Sequence, residues 1–317
     1  MFLKIAKKGN NSLGIYISTI ALVFLGYFLG QIPLLIALLK EGALLKLSEE
    51  EMRTALEALD FATFGLNQNY SFFLILWTFI FASLFLWLGV TKLHKKPFKN
   101  LITPTKRISW SKILFSFSLW FGLTLLIEIV FYLNNPENYQ FQFEAESFAI
   151  LATIAIFLLP IQTSFEELFF RGYLMQGISL FSSNRLVPLI TTSIAFGLMH
   201  IMNPEINEFG LGLMMTYYVG VGLFLGILTL MGDGLELALG VHAATNIYGA
   251  TMVTFTGSAI QTPALFRMAE VDVGLMLLAF VFAAVIYFFI VSKRYRLKDW
   301  TNVYGNVERN DLKNLLL

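Results

Sequence analysis

The chain has 317 residues, 57% of them hydrophobic and 14% charged, with 32 phenylalanines and a mean hydropathy of +0.70. Soluble domains carry about 25% charged residues, so the composition excludes a water-soluble globular protein and points to an all-α, polytopic membrane helix bundle. A net charge of +1 provides no field for nucleic acid, and the absence of cysteine removes disulfides, thiolate metal sites, S-acylation and a cysteine nucleophile.

The first apolar run begins near Leu13, after Lys4, Lys7 and Lys8. It is too long for a signal peptide and lacks the small-residue cleavage pattern, so it reads as a retained span. With about 20 apolar residues needed per crossing, the sequence predicts eight spans, at roughly 14–38, 70–92, 111–133, 148–180, 185–203, 209–231, 234–255 and 271–292. The fifth is the shortest. No repeat, low-complexity tract or linker divides the chain, so 1–317 reads as a single integral membrane domain.

Lys and Arg mark the cytoplasmic side of a membrane protein. One set of connections holds the basic N-terminal tail, Lys92 to Lys112, Arg171, Arg185, and a C-terminal tail with Lys293, Arg294, Arg296, Lys298, Arg309 and Lys313. The other set holds only Lys40, Lys46, Arg53 and Arg267. This asymmetry predicts a multi-pass protein of the plasma (inner) membrane with both termini cytoplasmic. The segment 41–69 is the one sizeable piece predicted outside. Its SEEEMRTALEAL stretch has a serine cap followed by acids in the first turn, the pattern of a short interfacial helix serving as lid or spacer.

Ionisable residues inside spans cost about 2.5–3.5 kcal/mol each at a helix centre, so they pair, face cavities and mark function. Here they cluster: Glu166, Glu167 and Arg171 on the fourth span, His200 on the fifth, His242 and Asn246 on the seventh. Glu167 and Arg171 are four apart and share a helix face, acid toward the N-terminus, which predicts an ion pair. Glu166 is rotated by about 100° from Glu167 and is left to face something else. His242 and Asn246 project together, and Phe196 lies one turn from His200. Glu128, alone in the third span, reads as a residue near the outer interface. His94, in the lysine-rich loop, reads as a solvated surface residue.

These residues fit three ordered patterns on separate apolar segments: EExxxR at Glu166, Glu167 and Arg171, FxxxH at Phe196 to His200, and HxxxN at His242 to Asn246. In them the chain resembles the CPBP family, the type II CAAX prenyl endopeptidases and the Abi, bacteriocin-processing and self-immunity proteins, also called intramembrane glutamic endopeptidases. The resemblance covers roughly residues 150–250. It implies a metal-independent, cofactor-free protease acting on a membrane-associated peptide, either CAAX-type prenylated or a leader peptide. It implies that Glu166 and His200 activate a water while His242 and Asn246 donate hydrogen bonds to the oxyanion, with Glu167, Arg171 and Phe196 in support. A carboxylate in an apolar site suits general-base chemistry, and fixed donors in a dry cavity stabilise developing charge.

Three other readings compete. His200, His242 and one glutamate resemble a His₂Glu zinc set, although HExxH is absent. A transporter or channel uses such clusters as relays, although no paired inverted halves or matched broken helices are visible. A catalytically silent immunity scaffold would keep the fold alone.

The site also constrains the fourth helix. Were it to surface at Arg171, Glu166 would lie near that surface while His200, counted from Leu186, would lie about 20 Å from it at 1.5 Å per residue. Continuation to about Phe181 brings the two level. The resulting helix, about 50 Å from Phe148, exceeds a hydrocarbon core of about 30 Å, which predicts a kink near Pro160 or strong tilt. The loop GDGLE, which has no basic residue, is expected to turn below the surface and bring His242 and Asn246 to a similar level.

Overall fold

A computed structural model describes residues 2–306; Arg309 and Lys313 lie outside the described residues. A 3₁₀ turn at Leu3–Lys7 leads into α1 (Leu13–Leu45), α2 (Glu49–Glu57) and α3 (Gln68–Leu88), the last continued by a π-helical turn at Gly89–Leu93. Next come α4 (Trp110–Asn134), β1 (Tyr139–Phe141) and α5 (Ala145–Glu167), which passes through a π-helical stretch, Leu168–Leu174, into α6 (Met175–Phe181). Then follow α7 (Leu186–Leu198), α8 (Pro204–Phe209), α9 (Leu211–Gly232) and α10 (Glu236–Thr251). Strands β2 (Val253–Phe255) and β3 (Phe266–Met268) precede α11 (Val273–Tyr295). The three strands form one small sheet, ordered β1-β3-β2, at one end of the helix bundle.

Helices form at all eight predicted spans. Six are long and apolar enough to cross a membrane: Leu13–Leu45, Gln68–Leu93, Trp110–Asn134, Ala145–Phe181, Leu211–Gly232 and Val273–Tyr295. The chain is an integral membrane protein. The fifth and seventh predicted spans are realised as shorter helices, α7 with 13 residues and α10 with 16. The chain leaves α7 through turns around His200, and Pro204 biases Asn203 away from helical geometry. α10 ends where β2 begins. Along most of its length α10 is buried, packed on α4, α5 and α9, so its motif residues lie inside protein rather than lipid.

The fourth predicted span is one continuous helical rod of 37 residues, Ala145–Phe181, about 55 Å long at 1.5 Å per residue. Pro160 lies within α5 without ending it. The departure from α geometry falls at Leu168–Leu174, immediately after the two glutamates.

Helix contacts rest on small residues that let backbones approach, as lipid-embedded packing requires. Gly26 and Gly30 of α1 sit against Phe85 and Thr78 of α3, and Gly222 and Gly226 of α9 against Ser193 and Leu189 of α7. The 41–69 segment carries the predicted cap: Ser48 accepts from the Glu51 amide and Glu51 reaches back to Ser48. Its Phe61, Phe64 and Leu66 pack with Leu38 of α1. Glu128 accepts a hydrogen bond from the Tyr139 hydroxyl beside β1.

His94 is fully buried, which corrects its reading as a surface residue. The N-terminal segment folds over the 92–112 loop, and His94 Nδ1 donates to the Asn10 carbonyl (2.7 Å) while Nε2 meets the Tyr173 hydroxyl (2.8 Å). Desolvation, reinforced by the charge of Lys96, pushes its pKa down to about 4. Gly234 to Glu236 of the GDGLE turn are buried, and the turn is tied to the same segment and loop, with the Phe2 amide donating to Asp233 and the Leu235 amide to the Ile102 carbonyl.

Lys96 is 3% exposed and its Nζ has no hydrogen-bond partner. Burial pushes its pKa down from 10.5 to about 8. Between those values the unfolded chain binds more protons than the folded one, so stability rises with pH from about 8 to about 10.5 and the full penalty stands below 8. Lys96→Met is therefore expected to raise the unfolding temperature in micelles at pH 7. It should also flatten the rise that the unsubstituted protein shows above pH 8, measured by thermal unfolding across that range.

Candidate active site

The rod formed by α5, the π-helical stretch and α6 carries the acids. Glu166 and Glu167 close α5, and Arg171 lies in the π-helical turns. Such a stretch inserts extra backbone per turn and re-aims the side chains on either side of it. Leu168 to Tyr173 are all buried, so the polar groups here are held by protein on every side.

Glu167 and Arg171 are both 0% exposed, and Arg171 Nη1 donates to Glu167 Oε1 at 2.7 Å. This is the ion pair that the spacing predicts. Arg171 Nη2 also donates to the Gly222 carbonyl of α9 (3.2 Å), and its guanidinium lies 4.3 Å from the centre of the Phe196 ring. A second partner has no counterpart in the sequence reading: His242 Nδ1 lies 2.8 Å from the same Glu167 Oε1. A carboxylate paired with Arg171 only accepts, so the proton is on Nδ1 of His242. The ring is thereby aimed, and its Nε2 lies 3.5 Å from Glu166 Oε2.

Glu166, unpaired in the sequence reading, has a near neighbour on its own helix. Gln162 Nε2 donates to Glu166 Oε1 at 2.5 Å, and Asn246 Nδ2 donates to Gln162 Oε1 at 2.9 Å. The carboxylate can only accept, which sets the direction of every bond in this row. Gln162 thus links the acid of α5 to the amide of α10. His242 Nε2 faces the Glu166 carboxylate, and Arg171 and Glu167 offset each other's charge behind it.

His200 Nδ1 donates to the Phe196 carbonyl (2.7 Å), which leaves Nε2 with its lone pair available. The ring stacks on Tyr218 with centroids 4.5 Å apart and planes 22° apart, and it lies 4.6 Å from Phe196. Phe196 therefore acts three ways: its carbonyl fixes His200, and its ring contacts both His200 and Arg171.

Glu166, His200, His242 and Asn246 all line one cavity of about 490 Å³, together with Gln162. Its walls are mainly apolar and aromatic, including Tyr27, Phe72, Phe79, Phe165 and Met214. Leu59 and Phe61 of the 41–69 segment and Ser258 to Ile260 of the β2–β3 connection stand on the same end, joined where Gln261 donates to the Ala58 carbonyl. Among the described residues, no three His, Asp or Glu side chains converge in a metal-holding geometry. Sequence reasoning missed Gln162, although its place four residues before Glu166 was the signal. It also missed the Glu167–His242 contact, for which a sequence separation of 75 residues leaves no local signal.

Residues 145–248 match the family described as type II CAAX prenyl endopeptidase Rce1-like. The "Uncharacterized protein YyaK" of Bacillus subtilis (strain 168) is 34% identical over 194 residues, 61% of this chain and 64% of the relative. The match thus spans less than two thirds of that relative's length. No solved structure matches the chain significantly.

Removing one member of a buried pair leaves an uncompensated charge and costs about 3–5 kcal/mol. Arg171→Met is expected to destabilise the protein by that order in unfolding experiments in micelles. The double variant Glu167→Gln/Arg171→Met, which leaves no lone charge, should recover much of the loss. Equal losses in both would contradict the pairing.

Proposed function

We propose that this chain, an integral membrane protein whose residues 145–248 are Rce1-like, is an intramembrane endopeptidase that hydrolyses peptide bonds with a water activated by Glu166 and His200. The observation that carries the reading is the convergence of Glu166, His200, His242 and Asn246 on one mainly apolar cavity, with Glu166 Oε2 3.5 Å from His242 Nε2. Acid, two oriented imidazoles and an amide are the parts that acyl transfer to water requires.

In this reading a water held between Glu166 and His200 Nε2 gives a proton to Glu166 as its oxygen attacks the scissile carbonyl carbon. The new oxyanion receives N–H groups from His242 Nε2 and from the second amide hydrogen of Asn246. Collapse breaks the C–N bond, and the proton held by Glu166 passes to the leaving nitrogen, so acid and base are regenerated. Gln162 keeps Glu166 and Asn246 in register. Glu167 keeps the proton of His242 on Nδ1, and Arg171 pairs with Glu167. No step calls for a metal. The apolar walls suit a membrane-associated peptide, with or without a lipid group.

The Lys and Arg distribution further supports cytoplasmic termini in a plasma membrane. The cavity is bounded by 59–61 and 258–260, which belong to the connections poor in basic residues. Substrate then enters from the outer half of the bilayer.

Glu166→Gln is expected to reduce peptide release to background when membrane-associated peptides are incubated in lipid vesicles with either protein and compared by mass spectrometry. Asn246→Ala, which removes one oxyanion donor, should lower the rate by about 10²–10³-fold. Chelators should leave the unsubstituted enzyme active. Identical peptide profiles for the two proteins, or activity lost to a chelator and restored by zinc, would overturn the mechanism.

A further inference from the structure

Glu205, in the first turn of α8, belongs to no motif and takes no part in the mechanism above. It lines the same cavity as Glu166 and His200. It is 7% exposed, its Oε1 accepts from the Ala259 amide at 2.7 Å, and its buried Oε2 has no hydrogen-bond partner. Burial pushes its carboxyl up from the ordinary range, and the Ala259 amide, its own amide and the nearby Tyr218 hydroxyl offset only part of that effect. A buried polar atom left without a partner is costly, more so when charged. Something that enters the cavity is positioned to complete it.

The surroundings say what that group is. Among the described residues, the cavity lining contains two carboxylates, Glu166 and Glu205, and no Lys or Arg. Arg171 stands behind the lining with its charge taken by Glu167. The other titratable groups near Glu205 are the phenols of Tyr217 and Tyr218, and the Tyr218 hydroxyl accepts a hydrogen bond from Asn203. Tyr218 is also the ring on which His200 stacks, which places Glu205 one aromatic side chain away from the water-activating imidazole. A free carboxylate arriving at Glu205 would meet another carboxyl group and no Lys or Arg to pair with it. An ammonium or guanidinium would meet a carboxyl oxygen whose nearest donor is the Tyr218 hydroxyl, in an apolar enclosure where a charge-assisted hydrogen bond is strong.

We infer that Glu205 sets substrate specificity in this cavity: it selects peptides with a Lys or Arg side chain close to the scissile bond and disfavours those with a free C-terminal carboxylate there. The inference rests on the endopeptidase reading for the word substrate, while the cation preference itself is a property of binding. The competing role for Glu205 is a clasp that only holds the Ala259 loop. Glu205→Gln separates the two, because the glutamine oxygen still accepts from Ala259 while the negative charge is gone.

The test uses the full-length protein in micelles and blocked apolar heptapeptides with one Lys placed in turn at each position, beside the same peptide with norleucine throughout. At the best position the Lys peptide is expected to bind the unsubstituted protein about tenfold more tightly than the norleucine peptide, one charge-assisted hydrogen bond at the low end of its range. In Glu205→Gln that preference should fall to about twofold or less, with the norleucine affinity unchanged. No Lys preference at any position, a preference that survives Glu205→Gln, or equal loss of both affinities would overturn the inference. Mass spectrometry of the same mixtures reads the protease question separately. Preference without cleavage contradicts the endopeptidase reading alone, and cleavage without preference contradicts the role of Glu205 alone.

Discussion

One carboxylate oxygen organises the centre of this protein. Glu167 Oε1 accepts from Arg171 on its own helical rod and from His242 on α10, and all three groups are buried. Without Arg171 the acid would be a lone charge in a low-dielectric interior. Without the acid, His242 would have no reason to hold its proton on Nδ1 or to turn Nε2 toward Glu166. The ion pair thus does more than neutralise itself: it sets the orientation of a second helix's imidazole and so the distance at which Glu166 meets it.

The backbone around this oxygen is arranged to the same end. A rod of 37 residues is longer than a bilayer core needs, and Glu166 lies well inside its length rather than at an end. The π-helical stretch follows Glu167 directly and carries Arg171, and Gly222 of α9 supplies a carbonyl to the guanidinium and a close approach to Ser193 of α7. Small residues at helix contacts bring five polar side chains from α5, α7's end and α10 to one cavity that the 41–69 segment and the β2–β3 connection border.

Much of this is legible in the sequence because membrane insertion makes each ionisable residue expensive. Glu166, Glu167, Arg171, His200, His242 and Asn246 stood out from apolar runs for that reason, and the Glu167–Arg171 pair followed from a four-residue interval. The continuation of the helix to Phe181 followed from requiring Glu166 and His200 to share a depth. What escaped was either uncharged or long-range. Gln162 carries no charge and so raised no alarm, the Glu167–His242 contact joins positions far apart in the chain, and Glu205 falls between two predicted spans and outside every motif. His94 was misread because a lysine-rich loop implies water, whereas the N-terminal segment folds over it and the Asn10 carbonyl and Tyr173 enclose it. The lengths of α7 and α10 escaped as well, since hydropathy does not show where a buried helix stops short of the membrane surface.

The central claim is that Glu167 holds a proton on Nδ1 of His242. With only three histidines in the chain, ¹⁵N-histidine NMR of the protein in micelles, assigned by single substitutions of His94 and His200, reads it directly. The account predicts a protonated Nδ1 on His242 at neutral pH that is lost or weakened in Glu167→Ala. A His242 ring with its only proton on Nε2 and a bare Nδ1, unaffected by Glu167→Ala, would contradict it.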